Sequence, residues 1–185
     1  MLKKDEKALL AKAKSLGATD AKFIDVKKIK VGAWTRMKCQ FGCPNYGQTL
    51  CCPPYAPTYD ATQAFLKEYK KAMLVQFTSP MPQGKKVDWV KVDMDISNGL
   101  LKLLLGVERE AFLLNYYKSF ALKAGRCRLC KECNLKKCVH PLEARPSMEA
   151  CGIDVMALAN DNGYKAEILT GPVKELKIYG LVLVD

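Results

Sequence analysis

The sequence predicts an α+β fold, a small mixed sheet covered by helices and interrupted by two cysteine-rich loop segments. Three observations predict it. Stretches with apolar residues at helical spacing and short strand-like runs occupy separate parts of the chain. Nine cysteines fall in two groups, within residues 36–57 and 126–151, and glycines and prolines make the first of these irregular. A length of 185 residues, 49% of them hydrophobic, allows one sizeable core, so residues 1–185 are expected to form a single domain.

Taken in order, Ala8, Leu9, Ala13 and Leu16 give residues 3–16 a helical pattern, and Gly17 offers its stop. Residues 21–31, "AKFIDVKKIKV", alternate as a strand does. Residues 36–57 are expected to be irregular. Thr58 can cap a helix reaching about residue 70. "AMLVQF", at 72–77, reads as a buried strand, and Pro80, Pro82 and Gly84 make 78–88 a loop. Ser97 or Asn98 opens the longest helical pattern, apolar on most sides, which runs to Gly125 and delivers the chain into the second cysteine segment. Ser147 is placed to cap a helix from Met148 to about Asp161, which Asn162 and Gly163 end. "KAEIL" (165–169) and "KIYGLVLV" (177–184) close the chain as strands. Both cysteine segments are expected on one side of the fold.

The second segment carries the sharpest chemical signal. In "CRLCKECNLKKC", two residues separate Cys127 from Cys130 and Cys130 from Cys133, and Cys138 follows after four. Three thiolates at that spacing can turn toward one compact centre with a fourth arriving from just outside it, close to the ligand run of a cubane [4Fe–4S] cluster. The last gap and the place of Pro141 differ from the bacterial ferredoxin run, which argues against a ferredoxin fold more than against a cluster. Zinc also accepts four thiolates, but its two C-x2-C knuckles usually lie a dozen or more residues apart. Arg126, Arg128, Lys131, Lys136 and Lys137 flank the thiols, where positive charge stabilises thiolates or docks a partner.

The first segment holds Cys39, Cys43, Cys51 and Cys52. Gly42 and Gly47 permit close approach of the backbone to a metal, and Pro44, Pro53 and Pro54 stiffen the chain after cysteines. Adjacent Cys51 and Cys52 should point different ways, so the rigidified Cys52 is taken as a ligand and Cys51 as packing. Cys39, Cys43 and Cys52 then need a fourth donor, and Cys151 at the expected start of a helix is the candidate, its alternative being a small core residue. A second centre with three cysteines and an open iron is a further expectation. His140 could be a ligand, a proton donor or a loop residue.

Charge and composition bound the function classes. The formal charge is +11, and two four-thiolate [4Fe–4S] clusters would lower it to about +7. A basic surface favours acidic partners, but the lysines form no block, so nucleic-acid binding has little support. No run is apolar enough to span a membrane and no signal peptide is apparent, so the protein is expected to be cytoplasmic, where cysteines serve metals or catalysis more than disulfides. Phosphate loops, H-E-x-x-H and G-x-S-x-G are all missing from the sequence.

The combination of "KCQFGCPNYGQTLCCPP", "VEREAFLLNYYKSFALKAGRCRLCKECN" and "CVHPLEARPSMEACGIDV" resembles a family of predicted metal-binding, cysteine-rich proteins of anaerobic bacteria and archaea. The resemblance spans about residues 35–185. It implies that Cys39, Cys43, Cys52, Cys127, Cys130, Cys133, Cys138 and Cys151 are the family's cysteine positions, with Cys51 the extra one, and that His140, Arg145, Glu149 and Asp154 are shared. It implies metal binding, with an iron–sulfur centre as the expectation, and no particular reaction.

Three functions compete. The leading one is electron transfer by one or two [4Fe–4S] clusters, Cys127, Cys130, Cys133 and Cys138 holding the first and Cys39, Cys43, Cys52 and Cys151 the second, with an acidic redox protein as partner. The next is an enzyme using an open-site cluster on a small anionic substrate, which Arg145, Glu149 and Asp154 would orient. The third is a zinc-stabilised nucleic-acid-binding module held by the same cysteines.

Overall fold

Residues Lys3–Ser15 form α1, and the chain then enters strand β1 (Asp20–Asp25). The remaining elements are α2 (Ala33–Gly42), α3 (Tyr59–Leu66), β2 (Lys71–Pro80), α4 (Trp89–Leu113), β3 (Phe120–Leu122), α5 (Val155–Asp161) and β4 (Glu175–Leu183). The structure is a computed structural model and describes residues 1–84 and 86–185. Lys85, within the loop expected at 78–88, lies outside the described residues. The fold class is α+β, as the sequence predicts. The sheet has four strands in the order β1-β2-β4-β3, and every neighbouring pair runs antiparallel.

The central strands β2 and β4 are apolar on both faces, because each face is covered. Successive side chains of a strand point to opposite sides. Ala72 and Leu74 of β2 and Tyr179, Leu181 and Leu183 of β4 therefore enter one core with Leu66, Leu158 and Ile153. Met73, Val75 and Val182 enter the other, against Leu9 and Ala13 of α1 and Leu100, Leu104 and Val107 of α4. At Gly180 a β-carbon would stand 2.6 Å from Leu104 Cδ1, so glycine lets α4 lie flat on β4. The first core also buries Met148 and Cys151, so the end of the second cysteine segment is anchored on the face that α3 and α5 cover.

The elements differ from the sequence reading in seven places, most of them for a local reason. The strand expected over 21–31 stops at Asp25, whose carboxylate accepts from Lys27 N–H (2.8 Å) and starts a short 3-10 turn. The segment expected to be irregular from residue 36 is helical up to Gly42, because no proline occurs before Pro44. The β2 strand runs on to Pro80 through its pairing with β4. The long helix starts nine residues earlier than Asn98, where Asp88 caps it by accepting from Lys91 N–H (3.0 Å). It ends at Leu113, and Asn115 at φ 72° turns the chain so that 120–122 pair with β4. Ser147 caps a turn and not a helix, since Gly152 at φ 90° breaks the pattern and Asp154 caps α5 instead. Residues 165–169, expected as a strand, have no regular structure.

Candidate metal centre

The two cysteine segments come together, residues 47–51 and 126–135 lining one cavity, and hydrogen bonds and ion pairs hold them there. Arg36 of α2 donates to Pro57 O (2.7 Å) and Ala150 O (2.8 Å), tying the end of the first segment to the turn that carries Cys151. Gly32 N–H donates to Gly152 O (2.8 Å), and a β-carbon at Gly152 would meet Tyr59 Cβ at 2.9 Å. The backbones of Lys123 and Ser147 pair, with Lys123 N–H donating to Pro146 O (3.0 Å) and Met148 N–H to Lys123 O (2.8 Å). The second segment is pinned to α4 by the Arg128–Asp93 ion pair and by Arg145, whose guanidinium grips Glu108 with both ends.

Within this frame the thiols sort into two groups. Cys39 lies in the last turn of α2 and Cys43 just beyond it, its N–H donating to Cys39 O (3.3 Å). Cys52 is held by a turn in which its N–H donates to Thr49 O (3.0 Å). Burial pushes the Cys39 thiol above its ordinary range, and the neighbouring Cys43, Cys52 and Glu149 push it further. Burial likewise raises Cys52, with Cys43 and Cys127 adding to it and the neighbouring Thr49 and Lys123 opposing it. These three thiols are therefore electrostatic neighbours.

The second group surrounds a cavity of about 750 Å³ lined by Cys51, Cys127, Cys130, Cys133, Cys138 and His140, among others. Cys51 and Cys127 are close enough to influence each other's ionisation, which lowers the Cys127 thiol well below its usual range and raises that of Cys51. Lys123 and His140 add to the lowering at Cys127. Cys130 is raised by desolvation and by Cys127, Cys133 and Cys138. Of the adjacent Cys51 and Cys52, Cys51 lines the cavity of the second group and Cys52 does not.

Cys151 stands apart. It is 2% exposed within the apolar core, and burial pushes its thiol up to about 11 while a hydrogen bond with Thr62 opposes the shift. Of the polar residues flanking it, Arg145 is paired with Glu108 and Asp154 accepts from Ala157 N–H (2.9 Å) as the cap of α5. Glu149 is different. Burial pushes its carboxyl above the usual carboxylate range, its own backbone N–H, Ser147 and the Lys123 charge oppose the shift, and its Oε2 is sealed from solvent with no hydrogen-bond partner.

Sequence reasoning passed over the most deeply placed charge. Lys123 is fully buried, and its ammonium donates to Ser97 Oγ (2.8 Å), Ala124 O (2.9 Å), Gly125 O (3.2 Å) and Arg126 O (2.7 Å). It organises the three residues before Cys127 from inside. Desolvation lowers its pKa, while Cys127, Glu149, Cys51 and Cys52 all pull it back up, so it lies between the two thiol groups. A single lysine inside the apolar run "FALKAG" was the available signal.

Among the described residues, no three histidine, cysteine, aspartate or glutamate side chains are gathered closely enough around one point to hold a metal ion. The donor set still fits one. Thiolates are soft ligands that suit zinc and iron–sulfur clusters, a buried carboxylate oxygen lacks a partner, and five thiols line one cavity. No helix among the described residues is long and apolar enough to cross a membrane. Comparison with curated proteins and with solved structures gives no match. A family model does match, over residues 22–184, and the chain belongs to that family, described as predicted metal-binding protein (DUF2284).

Proposed function

We propose that this member of a metal-binding family holds two neighbouring thiolate centres, both [4Fe–4S] clusters, and relays single electrons in the cytoplasm. The observation that carries the reading is the split of Cys51 and Cys52. Cys51 lines the cavity of Cys127, Cys130, Cys133 and Cys138, whereas Cys52 acts on Cys39 and feels Cys43, which supports assigning the adjacent residues to two thiol groups. Cys127, Cys130, Cys133 and Cys138 would hold the first cluster, with Cys51 beside it. Cys39, Cys43 and Cys52 would supply three donors to the second. A bound cubane supplies one-electron chemistry at a potential tuned by charge, hydrogen bonds and solvent exposure. Lys123 contributes a fixed positive charge between the groups and sets the backbone that leads into Cys127.

An acidic redox protein is the proposed partner. Lys131, Lys136 and Lys137 are exposed next to the second thiol group, and Val139 (62%) and Leu142 (86%) present apolar surface beside them. Such a rim steers and seats an acidic surface.

A second reading, an enzyme with an open-site cluster, is favoured by one observation. A cavity of about 670 Å³ adjoins Cys39, Cys43 and Glu149, bordered by Trp34, Ile153 and Tyr179. Arg145 and Asp154 are engaged in structural bonds, so they are not free to orient a substrate there.

The test is a redox titration of protein purified without oxygen, followed by electron paramagnetic resonance. The wild type should show reversible one-electron transitions. Cys130→Ala with Cys133→Ala should remove one signal, and Cys39→Ala with Cys43→Ala the other. No reversible transition in the accessible range would overturn the electron-transfer reading.

A further inference from the structure

Three acidic or basic groups cluster along the turn that carries Cys151, and only one carries a buried oxygen without a partner. Arg145 is used by Glu108 and Asp154 by the first turn of α5. Glu149 keeps an oxygen, Oε2, that is buried and without a partner. The residue itself is half-buried, but what exposure it has is not at that oxygen. Lys123 is the nearest buried cation, yet its ammonium is taken up by one hydroxyl and three carbonyls. An unpaired buried carboxylate oxygen destabilises a fold by about 1–3 kcal/mol or more, so such a group is expected to have an occupant.

The surroundings identify the chemistry of that occupant. Glu149 acts electrostatically on the Cys39 thiol, and Cys39 is in turn the neighbour of Cys43 and Cys52. Glu149, Cys39 and Cys43 border one cavity. Cys151, the fourth ligand expected from the sequence, lies in the apolar core with its thiol on Thr62. Three thiolates and one carboxylate are a donor set that zinc or iron accepts.

We propose that Glu149 is the fourth donor of the Cys39, Cys43 and Cys52 metal centre, and that Cys151 is a core residue and not a ligand. The proposal rests on the reading that those three cysteines bind metal. Two consequences follow chemically. Oxygen ligation at one corner makes that corner harder than the other three. It also places the carboxylate corner against the cavity of about 670 Å³, where a small molecule would meet it first.

The experiment loads the full-length chain with metal without oxygen, using Co²⁺ alone as probe and then iron with sulfide. It measures metal per chain, the cobalt visible spectrum and X-ray absorption fine structure. The wild type should show one light scatterer at the second centre. Glu149→Gln should weaken metal binding there by at least about tenfold, the range for loss of one ligand-shell group, while Cys151→Ala retains it. Glu149→Cys should bind metal with an all-sulfur spectrum, which keeps the test decisive where Glu149→Gln folds poorly by circular dichroism. Wild-type metal content and spectrum in Glu149→Gln, no metal at that centre in Glu149→Cys, or loss of the centre in Cys151→Ala would each overturn the proposal. Unchanged metal content in Cys39→Ala with Cys43→Ala would overturn the parent reading instead, so the two failures are distinct.

Discussion

Replacing Lys123 with methionine separates what its charge does for the fold from what it does for the thiol groups. The ammonium has four acceptors within 3.2 Å and no exposed surface. In the metal-free chain two effects oppose each other. Methionine leaves the carbonyls of Ala124 and Gly125 without their donor, at about 1–3 kcal/mol for each one that water does not reach. Arg126 O keeps the Ser97 hydroxyl (3.5 Å), and Gly125 is exposed, so the sum lies near the low end. Against this, an ammonium no longer has to be desolvated, which returns several kcal/mol. Metal-free stability should therefore change by about 1 kcal/mol or less. The loaded protein differs, because Cys127 and Cys52, which act on Lys123, would be held as thiolates there. A unit charge about 8 Å from a thiolate at an effective dielectric of about 20 is worth roughly 2 kcal/mol, or about 30-fold in affinity. Competition against a chelator should show that loss for Lys123→Met and little for Lys123→Arg. Equal metal affinity in Lys123→Met and wild type, or equal losses in both variants, would refute the electrostatic role.

Three further outcomes are expected. Arg145→Met should destabilise the fold by about 3 kcal/mol in urea denaturation, because it strands the Glu108 carboxylate in a nearly buried pair; a change under about 1 kcal/mol would mean that the pair is solvated. Gly180→Ala should cost about 1–3 kcal/mol through overpacking against Leu104, and Leu104→Ala placed on top of it should recover part of that loss. Tyr69 has its hydroxyl on Lys118 O (2.6 Å), and burial pushes its pKa up to about 12 from an ordinary 10. The unfolded phenol ionises first, so stability is fully present below about pH 10 and declines toward pH 12 by roughly 2–3 kcal/mol. Tyr69→Phe should lack that alkaline decline, and parallel curves for the two proteins between pH 10 and 12 would contradict the assignment.

The sequence made the elements with one clear period legible. Leu9 and Ala13 mark α1, the "AMLVQF" run marks β2, and Thr58 caps α3 as its type suggests, its hydroxyl accepting from Ala61 N–H (3.2 Å). Legibility fails where two signals compete. Ser147 and Asp154 are both good caps, and only the positive φ of Gly152, at a position where a β-carbon would crowd Val31 and Tyr59, decides for Asp154. In "FALKAG" the apolar residues continue the pattern of α4, but pairing with β4 takes them for a strand. The site was legible in its donor types and not in their grouping. Spacing tied Cys127, Cys130 and Cys133 together, whereas the facing of Cys51 toward Cys127 and the burial of Cys151 depend on chain segments about 75 and 90 residues apart in sequence, beyond the reach of local spacing. Lys123 was hidden for the same reason, since its partners are mostly carbonyls, which every residue has.

The most direct test of the central claim is iron, zinc and acid-labile sulfide per chain in protein purified without oxygen. Two thiolate cluster sites predict about eight irons and eight sulfides. Zinc without sulfide would contradict the iron–sulfur account and leave a structural metal site, and no bound metal at all would contradict the reading of both thiol groups as metal centres.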